Sequence, residues 1–295
     1  MRIALFGITP SVEHRNAIGL LLDELSARQV KLSVFEPFYH YLTDTLGITP
    51  KIESLFNLPE EIKESCAILL SIGGDGTFLE SAAYVQDSGI PIAGINFGRL
   101  GFLAHISSST IIESIGQLCQ GKYSVEHRSV LQVDPPCPIS VDSPYALNDI
   151  TIQKRGTAMI TVEAYINQKY LCTYWADGLI LSTPTGSTAY SLSVGGPILS
   201  PGVEAFALSA IAPHNLTVRP LVIPDDSTIT LVASSRDNEL LASIDSRTFD
   251  LPSPVKLSIS KAKFHINIVN LLGTSYYTTL RNKLMWGADQ RNSTP

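Results

Sequence analysis

Cys66-Ala-Ile-Leu-Leu-Ser-Ile-Gly-Gly-Asp-Gly-Thr-Phe-Leu-Glu-Ser-Ala-Ala83 is the stretch that decides the class of fold. An apolar run closes at Ile72, the turn Gly73-Gly74-Asp75-Gly76-Thr77 follows, and a helical stretch runs from Thr77 to Gln86. Glycines at a strand-to-helix junction let backbone amides approach an oligophosphate, and the positive end of the helix favours the anion. Asp75 does not suit a simple anion cradle. A carboxylate beside phosphates is repelled unless a divalent cation or a hydroxyl proton lies between them, and phosphoryl transfer to an alcohol requires both. The same five residues also read as a tight turn with Asp75 capping the helix, and spacing leaves the two readings level.

Outward from this stretch, strands and helices alternate. Arg2 to Gly7 is short and apolar, and Asn16 to Arg28 places Ile18, Leu21, Leu22 and Leu25 at helical spacing. Lys31 to Phe35 reads as a strand, and Ile90 to Asn96 is another apolar run closed by glycines. Such alternation implies a parallel sheet with helices on its faces. From about Arg128 the texture changes. Met159 to Ile166 alternates Ile160, Val162, Ala164 and Ile166 with Thr161, Glu163 and Tyr165, the pattern of a half-buried strand. Similar runs recur at Ala146–Gln153, Gly178–Ser182, Ser227–Ala233, Leu240–Ile244 and Val255–Ser260, and the proline-rich stretch Asp134 to Pro144 reads as a loop. The expected architecture is an N-terminal α/β domain with a parallel sheet and an all-β C-terminal domain.

The whole chain has the length for two domains of a globular protein. It has 295 residues, 44% hydrophobic and 16% charged, which suits packed cores rather than disorder. A net charge of −6 argues against a nucleic-acid partner bound through a broad basic face, so any phosphate is held by local donors. The apolar run at the start is too short for a signal peptide, and no run of apolar residues reaches membrane-spanning length. Cys66, Cys119, Cys137 and Cys172 form no C-x-x-C pair, so neither a zinc site nor a disulfide frame is expected, and the cytoplasm fits best.

Five further segments carry chemistry. Gly94-Ile-Asn-Phe-Gly98-Arg-Leu-Gly101 departs from the dinucleotide fingerprint by one residue, whereas Asn96 can meet a ribose hydroxyl or phosphate, or simply end its strand in an Asx turn. Asn148-Asp149 interrupts a strand-like run; together the two can grip a sugar diol, or form a surface bulge. Asp177 to Pro197 is dense in hydroxyls and glycine, with Tyr190 as its one aromatic, and can supply small donors and a ring to stack on a base. His214 and Arg219 lie between prolines, as a catalytic group and a phosphate partner or as loop braces. Asp245 closes a strand two residues before Arg247, and its role is undecided at this level.

These segments, in this order, resemble the NAD kinase family from about Ile68 onward. The Gly73–Thr77 motif is shared with diacylglycerol kinases and phosphofructokinases. What narrows the resemblance is Asn96-x-Gly98-x-Leu100-Gly101-Phe102-Leu103, Asn148-Asp149, Asp177 to Tyr190, Pro213-His214 with Arg219-Pro220, and the ending Leu280-Arg281-x-Lys283-Leu284-x-Trp286-Gly287. The resemblance implies ATP-dependent phosphorylation of the adenosine ribose 2′-hydroxyl of NAD to give NADP. It implies an α/β domain of residues 1–126 plus 269–295 on the ATP side and a β-rich dinucleotide-binding domain of residues 127–268, with the dinucleotide in the cleft between them. By the same resemblance Asp75 is the base and Gly76 lines the phosphates, with Gly74 beside it as a further binding residue. Asn148 and Asp149 hold ribose hydroxyls, Thr188, Ala189 and Tyr190 surround adenine, Asp177 contacts the nicotinamide side, and Asn96, Ser193 and Arg247 are further candidates for contact with substrate or cofactor. A divalent metal, Mg²⁺, would accompany ATP, its protein ligands unassigned, and the assembly would be a homodimer or homotetramer with no membrane partner. Asp149 stands where glutamate is usual, Trp175 and Ala158 where some relatives carry Arg and His, and Arg247 where glutamine is frequent. A lipid kinase built on the same glycine motif, or a non-catalytic dinucleotide sensor, are the alternatives.

Overall fold

The computed structural model describes residues 1–63, 65–98, 101–137 and 143–287. Leu100 and the middle of the proline-rich stretch lie outside the described residues. Strands β1 (Arg2–Gly7), β2 (Lys31–Phe35), β3 (Ser54–Phe56), β4 (Ile68–Ile72), β5 (Ile92–Ile95), β6 (Ala104–Ile106) and β7 (Tyr123–Arg128) come first. The second part holds β8 (Leu131–Val133), β9 (Tyr145–Ala146), β10 (Asp149–Lys154), β11 (Ile160–Ile166), β12 (Lys169–Ala176) and β13 (Gly178–Ser182). It continues with β14 (Ala205–Ile211), β15 (Leu221–Pro224), β16 (Ile229–Ser235), β17 (Glu239–Ile244), β18 (Arg247–Pro252) and β19 (Val255–Lys261). Strand β20 (Ile266–Leu271) then returns to the first sheet. The chain divides into a unit of residues 1–126 with 267–295 and a unit of residues 127–266.

The first unit is built on a sheet of order β3-β2-β1-β4-β5-β20-β7, with β6 beside β5. Ile3 pairs in parallel with Leu32 on one side and with Ile68 on the other, and Leu70 pairs with Ala93. Every residue of β4 and β5 is buried, as expected of parallel strands covered on both faces. The helix Arg15–Ala27 buries the four residues whose spacing announced it, Ile18, Leu21, Leu22 and Leu25. They join Ile3, Leu5, Leu70 and Ile95, with Ile111, Ile115 and Leu118 from a second helix, Ile111–Cys119, in one core.

The second unit has two antiparallel sheets of six strands, ordered β15-β14-β13-β10-β17-β18 and β12-β11-β16-β19-β8-β9. Alternate residues of both enter a single core: Ile150, Ile152, Leu179, Leu181, Leu240 and Ile244 from one sheet, and Ile160, Val162, Leu231, Ala233, Leu257 and Ile259 from the other. This is a β-sandwich, held by a period-two pattern on each inner face. The run expected at Ala146–Gln153 is two strands, because Leu147 and Asn148 break the ladder between β9 and β10.

Candidate active site

In the first unit the strand order reverses direction between β1 and β4, and ligands of open α/β sheets bind beyond the carboxyl ends of the strands at that point. A cavity of about 320 Å³ lies there. Its wall comes from three strand ends: Ile8 to Ser11 and His14 after β1, Ile72 to Gly74 with Thr77 after β4, and Asn96 and Phe97 after β5. The helix Asp75–Val85 opens on this wall with Gly74 as its N-cap. Its first intrahelical bond runs from Phe78 N to Gly74 O at 3.1 Å, so the amides of residues 75 to 77 emerge from the helix end. Asn96 Oδ1 accepts the Gly98 amide at 2.9 Å, the Asx turn that was one of its two readings. The same side chain also lines the cavity, its Nδ2 facing Gly74. A larger hollow of about 780 Å³ in this unit is lined by none of the expected site residues, and carries no chemistry-bearing motif.

Asp75 does not cap the helix. Its carboxylate turns to the chain entering β6, where Oδ2 accepts the Phe102 amide at 2.8 Å and Oδ1 accepts those of Leu103 and Ala104 at 3.1 and 3.3 Å. A Cβ on Gly101 would overlap this carboxylate, which explains glycine at that point of the motif. A carboxylate has about four acceptor sites, and three are filled; the fourth is on Oδ2. The result is an oriented carboxylate with one acceptor site unused.

In the second unit the site forms around Asn148 and Asp149. Asp149 is 5% exposed, so the surface bulge that was the other reading of this pair is ruled out. Asp245, in the turn between β17 and β18 at φ 52°, places its carboxylate against the backbone of this segment. Oδ2 accepts from Leu147 N at 2.9 Å, and Oδ1 from Asn148 N at 2.7 Å and Asp149 N at 3.2 Å. Arg247 donates to the carbonyls of Ser143 and Tyr145 at 2.8 and 2.6 Å, so its guanidinium braces the same segment. Burial pushes both carboxyls up. In Asp149 the neighbouring Asp245 adds to burial and Thr151 offsets it, leaving Asp149 pushed up to about 7. In Asp245 burial is the larger effect and pushes the carboxyl up, while three amides and Arg247 pull against it.

The hydroxyl-rich block packs onto the same segment. Thr183 N donates to Asn148 O at 2.9 Å and Thr183 Oγ1 to Leu147 O at 2.5 Å. Ser187 donates to Pro184 O and Leu199 O, Ser191 meets Ser209, and Ser182 reaches Ala207 O. These hydroxyls shape the turn instead of lining a ligand site, which corrects the expectation of many outward donors. Thr188 and Ala189 stay half-buried, while Tyr190 and Ser193 on the short helix Tyr190–Ser193 face outward, Tyr190 being 42% exposed. Asp177 is held by Lys154 at 2.8 Å. His214 is exposed and anchors its amide on Trp175 O at 2.8 Å. Arg219 donates to Leu216 O and Val218 O, the loop-bracing alternative.

Comparison with known proteins places the chain. The model of the ATP-NAD kinase N-terminal domain matches residues 28–123, and that of the ATP-NAD kinase C-terminal domain matches residues 147–271. An NAD kinase from Christiangramia forsetii is 44% identical over 99% of this chain and 100% of its own length. One from Bacteroides fragilis is 43% identical over 99% and 100%. The chain belongs to the NAD kinase family. A yeast NADH kinase solved with NADH shares the fold, with a TM-score of 0.83 at 24% identity over 100% of this chain and 90% of that one. An Archaeoglobus fulgidus NAD kinase solved with ATP has a TM-score of 0.72 at 25% identity over 97% and 99%.

The activity of the chain is accordingly that of an NAD kinase, a phosphotransferase. Within this NAD kinase the structure brings together, in the second unit, Asn148, Asp149, Asp245 and the turn around Thr183. Asp245 has the clearest role that sequence reading left undecided. Its signal was its place at a strand end, but a carboxylate aimed at backbone amides 97 residues away leaves no spacing to read. No helix of the described residues is long and apolar enough to cross a membrane, and all four cysteines are free thiols.

Proposed function

We propose that Asp75 takes the proton from the 2′-hydroxyl of the adenosine ribose of NAD as that oxygen attacks the γ-phosphorus of ATP. The O–H bond breaks toward Asp75 Oδ2, the new O–P bond forms, and the bond to the β-phosphate oxygen breaks, releasing ADP and NADP. The observation that carries this reading is the Asp75 carboxylate, oriented by three amides with one acceptor site unused, at the first turn of a helix. In this reading Gly74, Gly76 and Asn96 serve the phosphates, since the helix end and the cavity are rich in donors. Asn148 and Asp149 hold ribose hydroxyls, with Asp245 and Arg247 fixing their backbone. Thr188, Ala189, Tyr190 and Ser193 surround adenine, and Asp177, kept in place by Lys154, serves the nicotinamide side.

A divalent ion suits this arrangement as a companion of the triphosphate. No three-ligand cluster of His, Cys, Asp and Glu occurs among the described residues, while the hydroxyls of Thr9, Ser11 and Thr77 lie at the cavity or its rim. Mg²⁺ commonly keeps several waters and takes its remaining ligands from substrate phosphates, which such a wall accommodates. Bound there it would neutralise charge on the transferring phosphoryl group. Action in the cytoplasm, supported by four free thiols, and assembly as a homodimer or homotetramer complete the reading.

The test is NADP formation from NAD, ATP and Mg²⁺ by the purified protein and by Asp75→Asn. A positioned general base is worth ~10²–10⁴ in rate, so the variant should lose that much kcat while its Kd for NAD stays within a few-fold. Equal turnover by the two proteins would remove Asp75 from the proton transfer.

A further inference from the structure

The cavity at the switch point has one side chain whose purpose the fold does not explain. Of the eleven described residues lining it, His14 alone has a group that can carry positive charge. A chain of phosphates bound in this cavity, as the phosphoryl-transfer reading requires, would carry several negative charges, and it would gain from a donor beyond the amides and hydroxyls of the wall. His14 closes the short 3-10 turn Val12–His14 that follows β1, a turn begun by Ser11, whose hydroxyl accepts the Glu13 amide. The neighbouring basic residue, Arg15, is turned elsewhere, its Nε donating to Leu46 O at 2.7 Å. The imidazole leans on Phe97, with ring centroids 5.8 Å apart at 46°. Its Nε2 lies beside the Asn96–Gly98 turn: a Cβ on Gly98 would be 3.5 Å from Asn96 Oδ1 and 4.0 Å from His14 Nε2. The ring is thereby held against the wall that also carries the Asn96 amide and the end of the helix Asp75–Val85.

We propose that His14 is a binding residue for the oligophosphate of the phosphoryl donor, giving a hydrogen bond from its ring to phosphate oxygens in the cavity that the Gly73–Thr77 turn also lines. This rests on the phosphoryl-transfer reading above and extends it to the loop after β1. The contact with Phe97 restricts the ring on one side, which lowers the side-chain freedom lost on binding. The shared chemistry of the ligand is a chain of phosphates, which ATP and inorganic polyphosphate both present.

The experiment compares wild type, His14→Ala and His14→Gln in steady-state kinetics with ATP and with inorganic polyphosphate as donor, and in calorimetric titration with tripolyphosphate and Mg²⁺. His14→Ala should raise the KM for the donor about tenfold, equivalent to ~1.4 kcal/mol of binding, and weaken tripolyphosphate to the same degree. Its KM for NAD and its thermal midpoint should match wild type. His14→Gln, which sets an amide donor close to the place of Nε2, should recover part of the loss. A donor KM within twofold of wild type in His14→Ala overturns the assignment. So does an equal rise in the KM for NAD, which would mark His14 as a structural prop of the Asn96–Gly98 turn. A loss seen with ATP but not with polyphosphate or tripolyphosphate also overturns it, since the contact would then be to the nucleoside. Should wild type make no NADP from either donor, the phosphoryl-transfer reading fails, while the titration still decides whether His14 holds phosphate.

Discussion

A carboxyl buried beside a second carboxyl keeps its proton to a higher pH than it does in an unfolded chain, and Asp149 is such a group. Its pKa rises from 3.8 to about 7 on folding, so the folded state binds the proton more tightly than the unfolded one. The associated stability is complete below pH 4 and is lost as pH climbs through about 7. At ~1.4 kcal/mol per unit, the ceiling on that loss is about 4 kcal/mol. Asp149→Asn should therefore flatten the fall in unfolding free energy between pH 4 and pH 8, and should be the more stable protein at pH 8. Urea unfolding at both pH values measures this; parallel profiles for the two proteins would refute it. Gly101 gives a second prediction at the same scale. A methyl there drives into the Asp75 carboxylate, and displacing a catalytic group by about 1 Å can cost ~10²-fold. Gly101→Ala should lose one to two orders of magnitude in kcat with the KM for NAD little changed, and normal turnover would show that the carboxylate needs no such fixed position.

At the scale of elements, one turn holds another in place. Asp245 gathers the amides of Leu147, Asn148 and Asp149, closing the break between β9 and β10 that puts Asn148 and Asp149 where they are. Removing the acceptor strands three part-buried donors at ~1 kcal/mol or more each. Asp245→Ala should thus destabilise the protein by about 3 kcal/mol and raise the KM for NAD, while Asp245→Asn, which keeps one acceptor oxygen, should do less of both. Thermal unfolding and NAD saturation curves check this, and an unchanged KM in Asp245→Ala would separate the turn from substrate binding. Elements also differ in how plainly they are written. The helix Arg15–Ala27 and strand β11 are legible because each has one wet and one dry face, and burial follows the period of the sequence. Strand β12 is not, since an edge strand with half its residues exposed is not constrained to alternate. Strand β14, Ala-Phe-Ala-Leu-Ser-Ala-Ile, is buried almost throughout and has no period to detect. The hydroxyls of residues 182–191 read as ligand donors because composition shows their chemistry and not their direction. In the fold they are consumed by carbonyls, by Ser209 and by Arg128.

For the whole molecule, the chain order determines which part stands alone. Residues 127–266 are continuous, carry both antiparallel sheets and enclose their own core. Expressed alone they should unfold cooperatively, with a far-UV dichroism spectrum of β structure. Residues 1–126 lack β20, which lies between β5 and β7 in the parallel sheet, and should not fold without residues 267–295. A fragment 127–266 that is molten, or a fragment 1–126 that folds, would contradict the division. The sequence by itself determined the two classes of sheet, through alternation with helices in one part and period two in the other, and it determined the glycine turn that presents Asp75. These are local matters, set by residues within one turn or one strand of each other. Only the tertiary structure decided that Asp75 faces the amides of residues 102–104, that Asp149 shares a buried site with Asp245, and that His14 joins the cavity wall. Each depends on groups from 27 to 96 positions apart, or on strand ends brought together by a sheet order, and contacts of that range leave no periodicity in a single chain.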